Sequence, residues 1–149
     1  MSKPFPLQTV ADLMQTRADD AAVALGKLLA QEKDARARLQ LLEDYRAEYL
    51  SRFQQAAAQG LSAAQWANYQ EFIGRIDEAI GQQRRVVETS SGQTQAGQQH
   101  WLKQRNKAQA FDTLAQQHEA EQRYQEGRKE QKQGDEFSAR KHFHDPDRD

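Results

Sequence analysis

The sequence predicts an all-α fold, a long antiparallel two-helix coiled-coil hairpin with helix two the longer and disordered termini, and three observations carry that prediction. No proline occurs from Leu7 to Asp145. Along the first third of the chain, apolar residues recur at spacings of four and three. One strong turn signal, Gly60-Leu61-Ser62, interrupts the pattern. Positions 7, 11, 14, 18, 21, 25, 28, 32, 35, 39, 42, 46, 49, 53 and 56 read Leu, Ala, Met, Ala, Ala, Leu, Leu, Glu, Ala, Leu, Leu, Arg, Tyr, Phe and Ala, thirteen of fifteen apolar. A straight helix repeats at about 3.6 residues, so apolar residues held at 3.5 over seven heptads wrap onto a partner helix as a left-handed supercoil.

Lys3, Pro4, Phe5 and Pro6 form an extended lead-in, because each proline pushes its predecessor out of the helical region. Helix one then runs over about 7–58, roughly 75 Å at 1.5 Å per residue. A turn at about 59–62 follows: Gly60 suits a left-handed cap, and Ser62 with Gln65 three residues on matches a capping box that opens a new helix. Helix two covers about 63–140, with a tail at 141–149, all within a single domain, 1–149. A connection this short makes the helices antiparallel neighbours.

Helix two carries its own seam at Trp66, Tyr69, Ile73, Ile76, Ile80 and Val87, with Gln83 its one polar member. If Gly60 and Leu61 form the turn, residues whose numbers add to about 121 lie level. Tyr49 then faces Phe72, Tyr45 faces Ile76, Leu42 faces Ala79 and Leu7 faces Leu114. The stretch TSSGQTQAGQQ, 89–99, has two glycines and almost no apolar content, so local looseness or a bulge is expected there; each glycine disfavours a helix by about 1 kcal/mol relative to alanine. The seam resumes at Trp101, Ala108, Phe111 and Ala115. Beyond Leu114 helix two has no partner within the hairpin, an overhang of about 25 residues or roughly 40 Å. Two readings remain open for it: a solvated or frayed helix, or a segment that orders inside a partner.

Composition narrows the function. Only 37% of the chain is hydrophobic, against about 45–50% for a globular domain, whereas 23 glutamines and 29% charged residues suit exposed helices. There is no cysteine, no apolar run long enough for a membrane span and, in MSKPFPLQ, no secretory signal; the expectation is a soluble, cytoplasmic protein without direct membrane insertion. Charge is balanced locally, eight basic against eight acidic residues over 1–60 and ten against ten over 101–149, which leaves no basic face for nucleic acid. No phosphate-binding glycine loop, nucleophile elbow or zinc-ligand spacing occurs. His142, His144 and Asp145 lie in the tail with no neighbouring groups expected to orient them as ligands, and His100 and His118 are too far apart on one helix to converge. No enzyme, cofactor or metal site is expected.

What remains is surface that the seam does not need. Leu41, Tyr45 and Phe72 lie off or beside the strict seam and level with Leu42, Tyr49, Ile76 and Ala79. Either a wide apolar stripe thickens the seam, or both helices share a docking face, as contiguous exposed apolar patches and aromatic hot spots do.

The run Leu41 to Gln83 resembles the FliJ family of flagellar export proteins. The likeness rests on Tyr45 and Tyr49, the Gly60-Leu61-Ser62 turn, and then Trp66, Asn68, Tyr69, Gln70, Phe72 and Ile73. It implies a small cytoplasmic, non-catalytic component of the flagellar type III export apparatus, peripherally associated with it at the membrane and monomeric in isolation. Such proteins look like the stalk of a rotary ATPase: they insert in the export ATPase ring, contact the cytoplasmic domain of the export gate and escort export chaperones. Carried over, the gate-binding patch falls on Leu42, Tyr45, Tyr49, Phe72, Ile76 and Ala79. Arg38 and Gln83 flank it, where the family pattern would place glutamine and histidine. By analogy with rotary stalks, the ring contact falls at Leu7 to Leu28 against Phe111 to Phe137. The competing readings are the equivalent stalk of a virulence type III system and a dimerising coiled-coil adaptor.

Overall fold

The chain is represented by a computed structural model that describes residues 3–143. The expectations placed on His144, Asp145 and the tail to Asp149 lie outside the described residues. Among the described residues there are two helices and no strand: α1 (Gln8–Gln59) and α2 (Ala63–Phe143), 52 and 81 residues long. The fold is the all-α antiparallel coiled-coil hairpin that the heptads demand.

The turn between the helices is built by three local devices. Gly60 takes a φ of 96°, a left-handed conformation that only glycine adopts without strain, and its amide donates to the Ala57 carbonyl to close the end of α1. The Ser62 amide then donates to Gln65 Oε1 at 3.0 Å while the Gln65 amide donates to Ser62 Oγ at 3.1 Å. This reciprocal capping box satisfies two of the amides that every helix start leaves without a partner.

The described residues divide into two compact units, one formed by residues 20–102 and the other by residues 3–19 with 103–143. In the unit that holds the turn, α1 buries or half-buries Ala21, Leu25, Leu28, Glu32, Ala35, Leu39, Leu42, Arg46, Tyr49, Phe53 and Ala56, the predicted stripe without a break. From α2 it takes Ile76, Ile80, Val87 and Thr94 into its most buried layer. Trp66, expected in the seam, touches the Phe53 ring at 5.1 Å yet stays half exposed, because it sits in the first turn of α2 where little of α1 is left to cover it.

Residues 89–99 differ from expectation: they are α-helical throughout, with no bulge. Two side-chain facts explain why. Thr94 is buried in the seam, and its hydroxyl is held by the Ser90 carbonyl at 2.9 Å and the Leu28 carbonyl across the seam at 3.4 Å. Gly97 gives its missing side chain's space to Leu28: a Cβ built there would stand 2.6 Å from Leu28 Cδ1. A glycine that looked like a weakness is thus a socket for a leucine knob. Glu32 completes this polar layer, its carboxyl held below the ordinary carboxylate range chiefly by the Arg36 hydrogen bond at 2.9 Å and then by the Thr94 hydroxyl, against partial desolvation.

The second unit has a leaner seam. Ala18 and Ala108 are its buried pair, with Val10, Ala11 and Met14 from α1 and Phe111, Ala115, His118 and Gln122 from α2 half-buried. Past Gln122, every α2 side chain described is exposed except Glu126.

These details set two stability predictions. Gly92 has open space around its Cα, so Gly92→Ala should stabilise by about 1 kcal/mol in urea unfolding, whereas Gly97→Ala should gain less or lose, because Leu28 must move aside. Because the folded pKa of Glu32 is depressed, its contribution is present above the unfolded carboxylate pKa and lost as pH falls through the folded value. Glu32→Gln should therefore flatten the acid limb of the melting-temperature profile below about pH 4.5, measured by circular dichroism.

Candidate docking surface

The two flanks of the turn-side seam differ in kind. On one flank the helices are tied by charge: the Arg46 guanidinium forks onto both Asp77 oxygens, and Arg84 reaches Glu43 at 3.4 Å. The Asp77 hydrogen bond raises the Arg46 pKa further, chiefly by bonding and then by charge. Ala47, Leu50, Ile80 and Gly81 form the apolar floor of the groove between these pairs. Cross-helix ion pairs of this kind fix the setting of one helix against the other, although exposed pairs add little stability.

The other flank is aromatic and apolar. Tyr45 packs edge-on to Phe72 at 6.3 Å, Phe72 lies 4.5 Å from Tyr49, and the chain of rings continues through Tyr69 at 5.4 Å to Phe53 at 5.3 Å. Burial raises the Tyr49 pKa, with smaller contributions from Tyr69 and Tyr45. Beside this ladder an open groove of about 460 Å³ is lined by Arg38, Leu41, Leu42, Tyr45 and Gln83. Leu41 is 67% exposed and Tyr45 46%. No charged residue occurs between Arg52 and Glu71, so the turn end of this unit carries no charge of its own.

The residues singled out in the sequence thus occupy three different situations. Leu42, Tyr49, Phe72 and Ala79 are half-buried, their outer edges open; Tyr45 stands proud. Ile76, 6% exposed, is seam core rather than surface. Of the flanking pair, Gln83 is tied down, its Nε2 donating to the Ala35 carbonyl at 2.9 Å across the seam, while Arg38 pairs with Asp34 on its own helix at 3.7 Å, both side chains 71% exposed. Val86, 48% exposed, was missed. Its signal was present: Phe72, Ala79 and Val86 follow one another at heptad spacing.

Among the described residues no group of three or more His, Cys, Asp or Glu side chains is placed to hold a metal ion, and no helix is long and apolar enough to cross a membrane. The fold and this surface define a class: a two-helix coiled-coil protein with one ion-paired flank and one aromatic-apolar flank.

Comparison with known proteins narrows the class. The family described as Flagellar FliJ protein matches residues 2–146. The chain is 31% identical over 147 residues to the Flagellar FliJ protein of Salmonella typhi, and 29% identical over 147 residues to that of Escherichia coli (strain K12); each alignment covers 99% of this chain and 100% of the relative. The chain belongs to the FliJ family, and with it to flagellar biogenesis and protein export.

The division of the patch into core and rim has a direct stability consequence. Ile76→Ala should destabilise by about 2–4 kcal/mol through transfer and cavity terms, whereas Leu41→Ala should stay within about 0.5 kcal/mol, both measured by urea unfolding.

Proposed function

We infer that the chain is a non-catalytic stalk and escort of the flagellar type III export apparatus, working in the cytoplasm at the membrane-embedded machine. The observation that carries this reading is the aromatic-apolar flank: Tyr45 and Leu41 are exposed beside a seam that immobilises their neighbours, so their outer edges are presented in a fixed setting. Rigid aromatic anchors of this kind lose little entropy on binding and dominate interface energies. In this reading Leu42, Tyr45, Tyr49, Phe72, Ile76 and Ala79 form the docking site for the cytoplasmic domain of the export gate. Arg38 and Gln83 stand at its edge, Gln83 mainly as a strut.

The end of the chain remote from the turn is assigned to the export ATPase ring. Leu7 to Leu28 and Phe111 to Phe137 would provide that contact, and insertion would promote ring assembly and turnover. Export chaperones are carried by the same protein in the cycle. The matched relatives favour the flagellar assignment over a virulence-type stalk, since both are named flagellar proteins. The dimerising adaptor reading is separated by light scattering, which should give a single species near the 17.1 kDa of one chain.

Two binding measurements test the proposal. Leu41→Ala with Tyr45→Ala should weaken binding to the isolated gate domain by at least about tenfold while helicity is unchanged; retained affinity with intact circular dichroism would remove the docking assignment. Adding the purified chain to the cognate ATPase should raise hexamer formation and ATP turnover, and a chain ending near residue 114 should not.

A further inference from the structure

Ahead of α1, the segment Lys3–Pro6 is tied back onto α2. The Lys3 amide donates to Gln122 Oε1 at 3.3 Å, and the Lys3 carbonyl accepts from His118 Nε2 at 3.0 Å, joining residues more than a hundred positions apart in sequence. A carbonyl only accepts, so Nε2 of His118 carries a proton here. Two residues on, the Phe5 ring lies against the His118 imidazole with centroids 5.5 Å apart and planes at 47°. Phe5 is half-buried although Pro4 and Pro6 on either side are exposed. Its carbonyl accepts from the Gln8 amide at 3.1 Å, so the same residue also closes the start of α1.

His118 and Gln122 are one turn apart on α2 and present one face. They stand near the end of the half-buried stripe of α2; beyond them the described helix is open to water apart from Glu126, one turn on. The lead-in therefore lies across the final covered turn of the pair. We propose that Lys3–Pro6 is a clasp that fixes where the pairing of α1 with α2 stops and anchors the base of the unpaired stretch of α2.

The sequence is built for this role. Pro4 and Pro6 restrict Lys3 and Phe5 to extended backbone, which lowers the entropy lost when the segment is laid down. Recognition of Lys3 uses its backbone alone, so the specificity resides in Phe5, His118 and Gln122. Beyond the clasp α2 offers almost no apolar stripe, with Tyr124 59% and Phe137 69% exposed. A single polar helix of this length is marginal by itself and frays from its free end. The clasp sets where that fraying halts, so a partner gripping the open stretch pulls against a defined base.

Amide hydrogen exchange on the full chain, with no partner present, tests the clasp independently of the ATPase assignment. Phe5→Ala and His118→Ala should each raise exchange over residues 111–126 by roughly tenfold, through loss of the ring contact and the hydrogen bond, and leave residues 69–87 unchanged. Lys3→Ala should be silent, since only its backbone is used. Unchanged exchange over 111–126 in both ring variants overturns the proposal. A rise spreading equally to 69–87 also overturns it, because the segment would then belong to the general packing.

Discussion

A pair of helices lying side by side can bury only one stripe from each, and among the described residues there is no third layer to cover anything else. The consequence is visible in its burial: among the described residues no side chain is completely enclosed, and the deepest positions are alanines together with Ile76, Ile80, Val87 and Thr94. Stability therefore rests on an unbroken narrow stripe rather than on a few large core residues. That explains why the four-three pattern is held so strictly in α1, and why a polar layer such as Glu32 with Thr94 must be fully engaged in hydrogen bonds to sit within it.

The same constraint leaves the flanks of the seam free to diverge. One flank uses Arg46 with Asp77 and Arg84 with Glu43 to set the helices against each other. The other leaves Tyr45 and Leu41 open over a ladder of rings. A globular domain of this length would have folded such residues inward. Here they have nowhere to go, and their neighbours in the seam keep them still.

Much of this was legible in the sequence, because helical period, turn chemistry and capping are local codes. Every predicted seam position of α1 from Ala11 to Ala56 is buried or half-buried; only Leu7, at the edge of the helix, is exposed. Gly60, Ser62 and Gln65 do what their types at that spacing imply. Tyr49 lies against Phe72 as the turn dictates, though periodicity alone did not separate Ile76, which is core, from Tyr45, which is rim. What escaped was knowledge of which atom fills which gap. Nothing in TSSGQTQAGQQ announces that Gly97 receives Leu28, and a lead-in read only as extended says nothing of His118 and Gln122, more than a hundred residues away.

The unlike flanks also break a symmetry. A seam with identical sides would accept a partner in two rotational settings half a turn apart, with little energy between them. With ion pairs on one side and rings on the other, the two sides of the turn-side unit are chemically distinguishable. It carries an angular reference mark, so anything docked there also registers which way the unit is facing.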